Sequence, residues 1–235
     1  MSQREGFGTL CSRLGVEFLC PNCHSPIIIK SGKNSQGKQR YQCRQCHKRF
    51  ITNYTYKAYL PETNQKIVQL TKEGLGIRST ARVLSISTTT LLKRILDIAS
   101  KIKQPPITFG RTYEVDEMRL FIGKKSRLRW LVYAIDRETR KVVAFTIGRR
   151  TNSTLYVLLK SLFLAKTRTI FTDKLKNYAY LIPRKTHCTV FRSTNHIERC
   201  NLTLRTHLKR LNRKTICYSR KLALLFAIVK IYLWV

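Results

Sequence analysis

Acidic residues are the scarce class in this chain: 12 Asp and Glu stand against 46 Lys and Arg in 235 residues, a formal net charge of +34. So basic a chain is not built for a basic partner. It fits a polyanion, because Lys and Arg that neutralise phosphates release condensed counterions. Long apolar runs are also missing. The longest, Leu222 to Val229 (LALLFAIV), stops at Lys230 and is far shorter than the roughly 20 residues of a membrane-spanning helix. It reads as a core helix, and no membrane partner is expected. The first 18 residues, MSQREGFGTLCSRLGVEF, lack the continuous apolar stretch of a secretory signal, so a cytoplasmic setting is expected. Apolar residues in general are not lacking. At 43% of the chain they exclude a disordered basic tail and allow one to three packed domains. With eight cysteines and no expected export, metal ligation is favoured over disulfides.

Four of those cysteines have a pattern. Cys20 and Cys23 form one CxxC, Cys43 and Cys46 another, and 19 residues separate the pairs. Each CxxC turns tightly enough to bring two thiolates to one side of a tetrahedral Zn(II), and an intervening hairpin returns the second pair to the first. SGKNSQGK (31–38) supplies the turn residues. The expectation is a zinc ribbon over 19–52, held together by its metal; the competing reading is a redox motif or two coincidental pairs. His24 and His47 follow the CxxC pairs directly and could replace a thiolate, although four cysteines already fill the tetrahedron. Basic residues throughout the segment, Arg40 and Lys48 among them, are candidate DNA contacts.

From Pro61 the periodicity becomes helical. Ile67, Val68 and Leu70 precede a stop at Gly74; Ile77, Ala81 and Leu84 follow, then Leu91 and Ile95. Between the last two groups lies Ser85-Ile86-Ser87, a short turn in which Ser87 can cap the next helix. This predicts a helix-turn-helix over 60–100, with Thr88, Thr89, Thr90 and Lys93 exposed near the start of the recognition helix, where they can reach phosphates or base edges. A plain helical hairpin is the alternative. Pro105 and Pro106 mark a linker over 101–110.

Residues 111–235 change character again. TYEVDEMRLFIG, RWLVYAID and KVVAFTIG read as three antiparallel strands, with DRETR as a hairpin turn. A helix (TNSTLYVLLKSLFLAK), a fourth strand ending at Asp173, and a basic helix containing Glu198 follow. That order is α/β and RNase H-like. It makes the strands of Asp116 and Asp173 neighbours and lays the Glu198 helix across the sheet. The three carboxylates can then converge on two hard cations, Mg or Mn, which prefer oxygen ligands and polarise phosphodiesters. Strand alternation puts Glu114 on the Asp116 face, as a possible accessory ligand, and Glu117 on the other, as a partner for Lys124 or Arg127. Asp136 reads as a turn residue. On composition alone, structural acids beside arginines remain an alternative.

On these residues the chain resembles the insertion-sequence-one family of DDE transposases. The resemblance is carried by the double CxxC, ARVLSIS, FIGKKSRLRWLVYAIDRETRKVVAF, FTD, and above all HIERCNLTLRTHLKRLNRKTICYS. It implies a ribbon and helix-turn-helix that bind the terminal inverted repeats of a transposable element, followed by a catalytic domain. It further implies that Asp116, Asp173 and Glu198 are the DDE acids and that Arg205 touches DNA. Double-stranded DNA, a homo-oligomer and a prokaryotic nucleoid setting are the implied partners and place. The family pattern is departed from at Met118, Lys174 and Leu175. Rival functions are a non-catalytic repressor or decayed copy, and an RNase H-like nuclease without strand transfer. Residues 1–18 match nothing familiar. A second metal site from His187, Cys188, His196 and Cys200 is a weaker possibility, and KRLNRK (209–214) is a candidate DNA contact.

Overall fold

The computed structural model describes residues 19–52, 56–190 and 194–235. The N-terminal extension, 1–18, lies outside these. The chain divides into two compact units, one ending at Tyr59 and the other running from Leu60 to Val235.

In the first unit, β1 (Ile28–Lys33), β2 (Gln39–Cys43) and β3 (Arg49–Ile51) form an antiparallel sheet in chain order. The β1–β2 turn is built by Asn34, whose Oδ1 accepts the N–H groups of Gln36 and Lys38 at 3.0 and 2.8 Å, and by Gly37 at φ +75°. Among the described residues, Cys20, Cys43 and Phe50 form its buried core cluster, with Tyr41 stacked on Phe50.

The second unit opens with α1 (Thr63–Lys72), α2 (Ile77–Leu84) and α3 (Thr88–Lys101). Gly74 at φ +74° ends the first, and Ser85 at φ 53° ends the second. Ile86 is buried in the turn, and Ser87 Oγ accepts the Thr90 N–H at 3.0 Å, so the cap forms as the sequence predicts. Then come β4 (Thr112–Ile122), β5 (Lys124–Asp136), β6 (Val142–Gly148), α4 (Asn152–Leu164), β7 (Thr169–Phe171), α5 (Lys176–Leu181), β8 (His187–Cys188), α6 (Asn195–His207) and α7 (Leu222–Trp234). The sheet order is β6-β5-β4-β7-β8, with β4, β5 and β6 antiparallel and β7 parallel to β4. This is the RNase H-like order read from the sequence. One face of β4, with Tyr113 and Val115, packs against Leu155, Leu158, Leu159 and Leu162 of α4 and Tyr178 of α5. Across the sheet lies α6.

One detail differs from the sequence reading and another extends it. β5 begins at Lys124, not Arg129, and a single residue, Gly123 at φ +73°, turns β4 into it. The lysine-rich stretch is a solvated end of a strand, which needs no apolar alternation. The apolar C-terminal run forms the core helix that its sequence predicts. As α7 it covers β6 through Phe226 and Trp234, whose indole N–H donates to the Val142 carbonyl at 2.9 Å, and it also packs against α1 and α3. No helix among the described residues is long and apolar enough to cross a membrane.

Candidate metal centres and nucleic-acid interface

The four ribbon cysteines meet as two pairs, Cys20 with Cys46 at 3.6 Å and Cys23 with Cys43 at 3.5 Å between sulfurs. A zinc–sulfur bond of about 2.3 Å places the sulfurs of a tetrahedron about 3.8 Å apart, so the cage fits zinc. His24 and His47 occupy equivalent places just past each CxxC, both at φ 57°. Their role is to close the two turns in the left-handed region; the ligand set is the four thiols. The Lys48 N–H pulls the Cys46 thiol down to about 6, toward the thiolate that zinc requires. Arg40 and Lys48 are exposed.

The second centre is carboxylate. The register that pairs Glu114 of β4 with Phe171 of β7, carried two residues further, puts Asp173 beside Asp116. Carboxylate oxygens of Asp116, Glu117 and Asp173 lie within 4.8 Å of one another. Asp116 Oδ1 accepts the Glu117 N–H at 2.7 Å and Oδ2 accepts Asn201 Nδ2 of α6 at 2.6 Å. Burial pushes Asp116 up to about 6, a cost that a bound cation would offset. Asp173 is exposed, and its Oδ1 accepts the Leu175 N–H at 3.0 Å. An oxygen-only donor set of this kind suits a hard divalent ion.

Glu117 faces away from α6, as alternation predicts, but its expected partners do not hold it. Lys124 and Arg127 are at the hairpin tip, and Glu117 instead takes Arg150 at 2.6 and 2.9 Å and the Tyr178 hydroxyl at 2.7 Å. Neither partner is near it in sequence. Glu114, the possible accessory ligand, is fully buried and engaged elsewhere, by His196, the Ile197 N–H and Arg137. Asp136 is the turn residue expected: its Oδ1 accepts the Glu138 N–H at 2.9 Å, and Arg111 pairs with Oδ2 at 2.8 Å.

Glu198 sits in the first turn of α6, exposed, with Thr194 Oγ1 donating to it at 3.2 Å; it stands outside the group of three acids. Its helix is docked on Asp116 through Asn201, whose Oδ1 accepts from Tyr133 at 2.8 Å. Arg205, on the same helix two turns along, feels the charge of Asp116, and its Nε is buried without a partner among the described residues. The four residues of the weaker metal reading do not gather: His187 bonds Thr172 Oγ1 at 2.7 Å, His196 bonds Glu114, and no second His/Cys group occurs among the described residues. On α3, Thr88, Thr89 and Lys93 are exposed and Thr90 half-exposed.

Sequence reasoning did not single out one basic feature. Arg127, Arg129 and Arg149 line an open cavity of about 410 Å³ with Ser126, Ile122 and Leu222. No acid occurs in 118–135 or 139–172, so that absence was the available signal.

A zinc ribbon, a helix-turn-helix and a carboxylate centre on an RNase H-like sheet define a DDE-type DNA recombination enzyme. The family comparisons narrow this. The IS1 transposase family matches residues 111–234, more than half of the chain, the InsA N-terminal domain matches 15–47 and the InsA C-terminal domain 54–97. The chain belongs to the IS1 transposase family and is a DDE transposase that binds DNA. Its relatives include the insertion element iso-IS1n protein InsB of Shigella dysenteriae, 44% identical over 107 residues, covering 46% of this chain and 82% of that protein. The insertion element IS1 protein InsB of Shigella flexneri is 42% identical over 120 residues, covering 51% and 92%. Among solved structures, the HTLV-2 integrase catalytic core domain aligns at 18% identity and a TM-score of 0.34, covering 54% of this chain and 84% of that one. The fold assignment rests on strand order and family, not on that distant likeness.

Proposed function

We propose that this transposase binds the terminal inverted repeats of an insertion sequence through residues 19–52 and 60–100, and nicks and joins DNA with 111–235. Asp116, Asp173 and Glu198 are the acids that would hold two divalent ions. The observation that carries this reading is the β4–β7 register, which sets Asp173 beside Asp116 under the helix that bears Glu198. Two such ions, held there, would supply positive charge against the scissile phosphate and lower the pKa of the attacking group. The chain's own residues do the rest. Asn201 fixes the orientation of Asp116, and the Leu175 N–H fixes that of Asp173. Leu175 packs against the core, so the departure from the family pattern there is accommodated. Arg205, half-buried on the same helix as Glu198, meets a phosphate oxygen through the exposed part of its guanidinium. Thr88, Thr89, Thr90 and Lys93 read the repeat, while Arg40 and Lys48 meet the backbone. Water attacks a phosphodiester at the element end, and the P–O3′ bond breaks to free a 3′ hydroxyl. That hydroxyl then attacks a target phosphodiester, forming a new P–O bond as the target's own 3′ oxygen leaves. Two ends must be joined together, so the working form is a homo-oligomer, acting on DNA in the nucleoid.

The test is a nicking and strand-transfer assay on matched element ends with Mg(II) or Mn(II). Wild type should perform both steps. Asp116→Asn, Asp173→Asn and Glu198→Gln should bind ends and do neither. Activity in those three variants refutes the assignment; end binding without any chemistry in wild type favours a silent DNA-binding protein.

A further inference from the structure

Glu114 lies two residues from Asp116 on the same strand face, yet it points into protein. Its carboxylate is fully buried, and three donors surround it. His196 Nδ1 lies 2.5 Å and Arg137 Nε 3.4 Å from Oε1, and the Ile197 N–H donates to Oε2 at 3.0 Å. Two of these donors belong to the first turn of α6. That turn has a specific need. Thr194, at the N-cap position, makes no side-chain cap, and Ile197 is fully buried, so among the described residues its N–H has no local partner and no access to water. Glu114 supplies the missing acceptor from another element, with negative charge at the positive end of the helix.

The placement is well fixed from below. Glu114 is laddered on both sides, to Ile135 of β5 and Phe171 of β7. Arg137 is itself braced, with its guanidinium 4.2 Å over the Phe171 ring. One turn further along α6, Asn201 ties the helix to Asp116 and Tyr133. Glu198 sits between the two attachments. A buried ion pair is a weak source of net stability but a strong determinant of register.

We propose that Glu114 is a positioning residue: it caps α6 from the sheet and sets where Glu198 stands relative to Asp116, without touching metal or DNA. This rests on the assignment of Glu198 as the third acid. The carboxylate is required as an acceptor for a helix N–H; the His196 ring nitrogen hydrogen-bonds it and Arg137 offsets its charge.

The experiment compares Glu114→Gln, Glu114→Ala, His196→Ala, His196→Asn and Glu198→Gln in the full chain. The readouts are nicking of end DNA across Mn(II) concentrations, affinity for end DNA, and amide hydrogen exchange of the peptide covering 194–201. Glu114→Ala should lose about 100-fold in nicking rate, the upper range for residues that orient a metal ligand, with end affinity unchanged. The 194–201 peptide should lose protection in it. Glu114→Gln keeps an acceptor for the Ile197 N–H and should stay within about 10-fold of wild type with protection retained. His196→Asn keeps a donor near the Nδ1 position and should recover most of what His196→Ala loses.

If Glu114→Gln is as inert as Glu198→Gln, Glu114 is a ligand and the proposal is overturned. Unchanged exchange over 194–201 in Glu114→Ala overturns it equally. Should Glu114→Ala not fold, Glu114→Gln and the two His196 variants still decide. An active Glu198→Gln would instead defeat the assignment of the third acid, while the exchange measurement would still report on the cap.

Discussion

The two metal centres of this chain are built in opposite orders. In the ribbon the ligands are the core: among the described residues, Cys20 and Cys43 form its buried cluster with Phe50, and Cys23 and Cys46 pack against it. In the catalytic unit the acids stand at the rim of a sheet already packed by Leu155, Leu158, Leu159, Leu162 and Ile170. Metal makes the first structure and visits the second. The contrast follows from area. A segment of about thirty residues cannot bury enough apolar surface to offset its chain entropy, and the larger unit can.

The sharpest way to break the contrast is to withdraw zinc. Cys43→Ser, or a strong chelator, should unfold the ribbon altogether, since structural zinc contributes about 10–16 kcal/mol in small zinc domains. Zinc content and end-DNA affinity should fall together, while the thermal transition of 60–235, followed by circular dichroism, stays in place. Next in size, Asp116→Asn should lower nicking by more than ~10³-fold, on the order of 4 kcal/mol of transition-state stabilisation, in a quantitative cleavage assay. Its melting temperature should not fall, because Asp116 is a burdened carboxylate that burial disfavours.

Glu117→Gln sharpens the contrast by mixing the two roles. Its carboxylate belongs to the acid cluster but is also held by Arg150 and Tyr178. The substitution should destabilise the catalytic unit by about 1–3 kcal/mol, read by urea denaturation, and lower nicking as well. The smallest effect is expected at the basic cavity, where Arg127→Ala should reduce the slope of log affinity against log salt by about 1, equally for element ends and random DNA.

Local chemistry was legible in the sequence where it depends on spacing. The CxxC pairs, the Ser87 cap and the alternation of Glu114, Asp116 and Glu117 each follow from a few adjacent residues. Partners brought by folding were not. Arg150 is 33 positions and Tyr178 61 positions from Glu117, and His196 is 82 from Glu114, and no periodicity encodes such meetings. The acid cluster shows the same limit. Alternation correctly separates Asp116 from Glu117, yet both approach Asp173, because regular β4–β7 pairing ends at Glu114 and Phe171 and Asp173 lies just past it. The histidines after each CxxC looked like spare ligands; only backbone dihedrals reveal them as turn residues.

A joint between helices carries a consequence for anyone who would re-engineer the protein. Gly74 lies against the carbonyl of His207 at the end of α6, so closely that a Cβ there would collide with it, and its φ of +74° disfavours one in any case. Behind the same helices, α7 closes the floor under α1 and α3. The DNA-binding helices are therefore not a cassette. Grafting a different helix-turn-helix onto 111–235 to retarget the enzyme would require the donor to bring a glycine at that joint and to accept the last helix of the host as its own core. A chain cut after Lys101 would leave α1 and α3 without that cover, so retargeting by point changes on the exposed face of α3 is the route the architecture permits.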